Sequence, residues 1–157
     1  MTSVYIETSI PSFYFETRQE PENMARTFWT KEWWDLHSTQ YNVYTSVAVI
    51  DELDKGLFAG KQQALELLNP IPLLDLNEAI GEVVANYISH HIMPNDPLGD
   101  ALHLAVASYY KCDFLLTWNC HHLANANKFG HIRRINNLLG LYNPSIVTPL
   151  ELLGESI

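Results

Sequence analysis

The stretch NDPLGDALHLAVASYYKCDFLLTWN, residues 95–119, runs a helix pattern straight into a strand pattern. From Asp100 to Cys112 the chain is apolar nearly all round: Ala101, Leu102, Leu104, Ala105 and Val106 leave little polar surface, which predicts a helix buried inside a core. Asp96 as N-cap and Pro97 at the first helical position mark its expected start. DFLLTW, residues 113–118, follows as an apolar run of strand length. A buried helix feeding a strand that is apolar on both faces is the pattern of a parallel sheet covered by helices on both sides.

The same alternation extends outward in both directions. SVYI (3–6), YNVYT (41–45) and PIPLLDL (70–76) read as further short strands. Helix-like segments follow at 10–16 and 21–37, then at 47–57 and 61–68, then at 77–91. In 21–37, Met24, Phe28, Trp29, Trp33 and Leu36 recur at helical spacing; in 47–57, Val47, Ile50, Leu53 and Leu57 share one face. Ile80, Val83, Val84, Tyr87 and Ile88 form the clearest amphipathic stripe, and SIVTPLELL (145–153) offers a fifth strand or a docking tail. The expected fold class is α/β, three layers, with a mostly parallel sheet of about five strands in a single domain, 1–157.

Of 157 residues, 47% are hydrophobic, enough for a substantial core. Nine Lys plus Arg against eighteen Asp plus Glu give a net charge of -9, so the molecule as a whole repels phosphate backbones unless cations cluster or a metal intervenes. Two cysteines and an N-terminus without a basic n-region or a continuous apolar core predict a reducing, cytoplasmic setting. No run reaches the roughly 18 apolar residues that span a bilayer, and no membrane partner is expected.

In open parallel sheets, ligands bind beyond the carboxyl ends of the strands. Glu7 stands there after the first strand, Glu52 a turn or two after the second, Asp100 in the buried helix, and Asn119 after the fourth strand. Glu7 taken alone reads as a solvated strand end, with Thr8 or Ser9 as an N-cap beside it. Glu52 lies opposite the apolar face of its helix, which by itself means solvent. Asp100 stands out unaided, because a carboxylate among alanines, leucines and valines needs a partner: a divalent cation, or His103 on the same helical face.

YIETS, TSVAVIDEL, DALHLAVA and LLTWN, in this order and at these separations, resemble the PIN-domain family, and within it the toxin subunits of VapC-type toxin–antitoxin pairs. The likeness runs from residue 4 to about 123. It implies a metal-dependent endoribonuclease that hydrolyses RNA phosphodiester bonds, with acids gathered around Mg²⁺ or Mn²⁺, a cognate antitoxin protein as partner and a homodimer as the assembly. Residue by residue, the family's four site positions fall on Glu7, Glu52, Asp100 and Asn119, and Thr8 and Ser9 match the small hydroxyl residues beside the first. The family most often has Asp where Glu7 stands, and commonly Asp where Asn119 supplies a neutral amide oxygen, which weakens the hold on a second ion. These departures keep a rival reading open: a PIN-like domain that binds RNA or protein without cutting.

Behind Asn119 lie Cys120, His121 and His122. Structural zinc sites pair their ligands at short spacings, whereas Cys112 and Cys120 do not, and adjacent histidines are expected to diverge. Cys112 reads as a small core residue and Cys120 as a free thiol. ARTFWTKEWWDLH, residues 25–37, carries Trp29, Trp33 and Trp34, too many for one helix face to bury. A dimer or antitoxin contact through one of them is expected, the alternative being that they cover the core. Cations available to an RNA backbone are Arg18, Arg26, Lys128, Arg133 and Arg134.

Overall fold

β1 (Ser3–Ile6) is the axis of a five-stranded sheet. β2 (Asn42–Ser46) and β3 (Leu73–Leu74) are added on one side of it, and β4 (Phe114–Leu116) and β5 (Ser145–Val147) on the other. The order is β3-β2-β1-β4-β5 and every pairing is parallel, with Tyr5 opposite Tyr44 on one side and Leu115 on the other. The computed structural model describes residues 1–154. Because the chain builds β1, β2 and β3 outward and then returns to the far side of β1 for β4, the strand order reverses between β1 and β4. In open parallel sheets, ligands bind at the carboxyl ends of such a pair.

Helices α1 (Ser9–Tyr14), α2 (Pro21–Glu32), α3 (Val47–Lys55), α4 (Lys61–Leu68), α5 (Glu78–Ser89), α6 (Asp100–Tyr109) and α7 (Ala126–Leu138) connect the strands. Central strands are apolar throughout because both faces are covered: Val4, Tyr5, Ile6, Leu115 and Leu116 are all fully buried. α5 is held as its periodicity implies, with Asn77 capping the N–H of Ile80 and Ile80, Val83, Val84 and Tyr87 inside. The 145–153 run supplies β5, and the expected strand at 70–76 contracts to two residues at a sheet edge, flanked by Pro70 and Pro72.

Three helix readings change. α6 starts at Asp100 and not at Pro97, since Asp96 caps a separate tight turn through its bond from the N–H of Leu98, and Gly99 takes the N-cap position. Asp100 therefore sits at the helix N-terminus, half-buried, while the helix behind it is fully enclosed. α3 buries Ala48, Val49 and Leu53 instead of the Val47–Leu57 stripe; it ends at Lys55, leaving Leu57 98% exposed. α2 passes into a wide π-helical turn, Trp33–His37, which changes the angular step for the residues within it, Leu36 among them. Trp33 enters the core, Trp29 and Trp34 pack against it, and Met24, Phe28 and Leu36 face outward.

Candidate active site

Glu7 is the first residue beyond β1, and its N–H extends the ladder by donating to the Leu116 carbonyl at 3.1 Å. That bond fixes the side chain in the β1–β4 cleft, where Glu7 is 5% exposed rather than solvated. Its Oε1 accepts three hydrogen bonds, from the Ser9 N–H at 3.1 Å, the Ser9 hydroxyl at 2.5 Å and the Thr117 hydroxyl at 2.6 Å. The two hydroxyls are themselves anchored: Ser9 Oγ accepts the Trp118 N–H at 2.8 Å, and Thr117 Oγ1 accepts the Asn119 N–H at 2.9 Å. Oε2 receives no hydrogen bond among the described residues. Burial pushes the Glu7 carboxyl above the ordinary carboxylate range, while the charge of His103 and the bonds from Ser9 and Thr117 pull the other way.

His103, one turn into α6 and fully buried, is the hub of the neighbouring chain of contacts. Its Nδ1 lies 2.9 Å from the Tyr5 hydroxyl, which lies 2.7 Å from Ser46 Oγ at the end of β2. Its Nε2 meets Glu52 Oε1 in a close ion-pair contact. Desolvation would lower the imidazole pKa, but the Glu52 hydrogen bond and the charges of Glu7, Glu52 and Asp100 outweigh it, and the net direction is up. Glu52, expected to face solvent, is thus brought to the site through histidine. His103 pairs with Glu52 across the fold and not with Asp100 on its own helix.

Asp100 makes no hydrogen bond or ion pair among the described residues, and its charge reaches both His103 and the half-buried Lys128 of α7. Asn119 Oδ1 accepts the N–H groups of His121 at 3.2 Å and His122 at 3.0 Å, tightening the turn after β4. Those histidine rings do not diverge; they meet edge to face at 4.3 Å because that turn folds them together. Thr8 occupies the cap position of α1 without a capping bond, and its hydroxyl lies 3.5 Å from His103 Nε2. Among the described residues, no three Asp, Glu, His or Cys side chains gather closely enough to hold an ion jointly.

The sequence reading missed Tyr5, Ser46 and Thr117. The signal was a hydroxyl in each strand at a position where an aliphatic residue would serve a purely structural sheet. Of the candidate cations, Arg18 pairs with Glu16 at 3.0 Å on the surface, and Arg26 lies over the rings of Phe13 and Trp118 at 5.7 and 5.4 Å. Arg133 and Arg134 are exposed.

No family model matches the chain, and no curated protein matches it. Among solved structures, the crystal structure of FitAcB from Neisseria gonorrhoeae aligns over 95% of this chain and 99% of that one, with a TM-score of 0.53 at 15% identity. The two share a fold. The five-stranded, all-parallel sheet between helical layers is the PIN-like architecture that the four motifs implied. Among the described residues, no helix is long and apolar enough to cross a membrane.

Proposed function

We propose that the chain is a metal-dependent endoribonuclease of the PIN-like toxin type, hydrolysing RNA phosphodiester bonds in the cytoplasm and restrained by a cognate antitoxin protein. The observation that carries this reading is the meeting of Glu7, Glu52 and Asp100 around His103 where the strand order reverses. A carboxylate as enclosed as Glu7, beside the half-buried Glu52 and Asp100, is costly to stability, and a catalytic centre explains it.

This reading requires a single Mg²⁺ or Mn²⁺ held by few protein donors. Glu7 keeps Oε2 free while Oε1 is pinned, and Asp100 keeps its whole carboxylate; these two residues would hold the ion, which suits a cation that retains several waters. When bound, it supplies a Lewis acid for the phosphoryl oxygen and a water acidic enough to yield hydroxide near neutral pH. Ser9 and Thr117 hold the Glu7 carboxylate in one orientation. Thr8 makes no capping bond, and its hydroxyl, in a long contact with His103 Nε2 at 3.5 Å, would turn to a phosphate oxygen. Lys128, within electrostatic reach of Asp100, offsets part of the net negative charge for an approaching RNA backbone. Asn119 acts by shaping the turn after β4 that carries His121 and His122.

For the antitoxin and homodimer contacts the outward residues of the α2 segment are Met24, Phe28 and Leu36, 54%, 65% and 65% exposed, rather than the tryptophans. The test of the function is a cleavage assay on mixed structured RNAs with Mg²⁺ or Mn²⁺, comparing wild type, Asp100→Asn and an EDTA control. Cutting by wild type alone, abolished by chelation, is the expected result. No cutting by any sample, with RNA bound, supports the binding-module reading, which the commitment of Glu52 and Asn119 to other partners favours.

A further inference from the structure

Arg26 of α2 is half-buried, with its guanidinium over two aromatic rings. The guanidinium carbon is 5.7 Å from the centroid of Phe13 in α1 and 5.4 Å from that of Trp118, just beyond β4. Among the described residues this guanidinium makes no hydrogen bond and no ion pair, whereas Arg18 is engaged by Glu16 and Lys61 by Asp54. The rings beneath it are fixed in place. The Trp118 indole N–H donates to Thr30 Oγ1 at 2.7 Å, and the Thr30 hydroxyl donates to the Arg26 carbonyl at 2.7 Å, which ties the indole to the helical turn that carries Arg26. Trp29 stacks on Trp118 at 6.1 Å, and Phe13 meets it edge to face at 6.3 Å. The backbone of Trp118 reaches the site: its N–H donates to Ser9 Oγ at 2.8 Å, and Ser9 Oγ donates to Glu7 Oε1 at 2.5 Å.

A guanidinium over an aromatic ring has its face occupied and its N–H donors left at the edge, in a fork that matches two oxygens of a phosphate. Partial burial weakens the screening of that charge by water. On a chain of net charge -9, an unpaired cation joined through one tryptophan to the shell of Glu7 suits an anion that approaches the same end of the sheet. Resting on the ribonuclease reading above, we propose that Arg26 is a substrate-binding residue that holds a phosphate of the RNA strand beside the one that is cut, on a platform made by Phe13 and Trp118. Along the chain of contacts the indole separates the guanidinium from Ser9 and Glu7, which assigns Arg26 to a neighbouring phosphate. Thr30 is the positioning residue that keeps ring and guanidinium together.

Fluorescence anisotropy of a labelled single-stranded RNA, titrated with the full chain across a salt series in EDTA and again in Mg²⁺, tests this. Arg26→Gln is expected to weaken binding about tenfold, as the loss of a hydrogen bond between charged groups does. It should also flatten the dependence of log K on log salt by about 0.7, the value for one phosphate of a single strand. Arg26→Lys keeps the charge and loses the fork, so its salt slope should match wild type while its affinity falls, by less than in the glutamine variant. Arg18→Gln removes a charge that Glu16 already neutralises, and should leave affinity and slope near those of wild type. If Arg26→Gln does not fold, Arg26→Lys carries the test, and wild-type affinity in it overturns the proposal. An unchanged salt slope in Arg26→Gln, or an equal loss in Arg18→Gln, also overturns it; Arg26 is then a cover for the Trp118 ring, and the nuclease reading stands. No RNA binding by wild type in either buffer overturns the ribonuclease reading and this inference together.

Discussion

Replacing Thr117 by valine keeps the shape of a fully buried, β-branched residue and removes one oxygen from the floor of the cleft. That oxygen donates to Glu7 Oε1 at 2.6 Å and accepts the Asn119 N–H at 2.9 Å. A hydrogen bond to a charged group contributes about 1.5–3 kcal/mol, against about 1 kcal/mol between neutral groups. Losing the charged bond moves the Glu7 carboxyl further up, in the direction burial has already pushed it. The sign follows: the variant's folded state holds its proton to higher pH, so its stability relative to wild type falls as pH rises through the Glu7 titration. Urea unfolding in EDTA should therefore give a destabilisation of about 2–3 kcal/mol at pH 8, shrinking to about 1 kcal/mol at pH 4, where Glu7 is neutral and only ordinary hydrogen bonds are lost. Thr117→Ser retains the hydroxyl and should show no such slope. A pH-independent difference under about 0.5 kcal/mol, or an equal slope in the serine variant, would refute the assignment of Thr117 as the anchor of an ionisable Glu7.

Three further outcomes are expected. Because the folded-state pKa of His103 is raised above its ordinary 6.5, its ionic contribution is fully present below that pH and is lost as pH rises through the higher folded value. The thermal midpoint of metal-free wild type should therefore exceed that of His103→Gln by more at pH 6 than at pH 9, and a gap that widens toward alkali contradicts the raised pKa. Gly60→Ala would place its Cβ 2.6 Å from Phe15 Cβ and 3.2 Å from the Phe15 carbonyl, so denaturant unfolding should show a loss of about 1–3 kcal/mol. Leu57→Ser, at a residue 98% exposed, should change stability by no more than about 0.5 kcal/mol; a larger loss in the same experiment would restore Leu57 to a packed face.

Local pattern determined a good deal of this protein. The apolar runs at 3–6 and 113–118 could only be strands buried on both faces, and the stripe of Ile80, Val83, Val84 and Tyr87 could only be one side of a helix, because side-chain period follows from backbone geometry. The order of acids after successive strands then pointed to the carboxyl end of the sheet, where ligands bind in open parallel sheets. Where the pattern was ambiguous, the reading went astray for local reasons. Asp96 can cap a turn as well as a helix, and a single π-helical turn, Trp33–His37, changes the angular step for the residues within it.

Tertiary structure decided which acid is buried and what each one touches. Glu7 looked solvated and is enclosed, because its neighbours Ser9 and Thr117, 108 positions apart, close over it from the start of α1 and the end of β4. Glu52 looked solvated and is held by a histidine 51 positions away. Hydroxyls and imidazoles carry no periodicity, so the bonds Tyr5, Ser46 and His103 make cannot be read along the chain. They exist only because the sheet order β3-β2-β1-β4-β5 sets the ends of β1 and β2 beneath the first turn of α6.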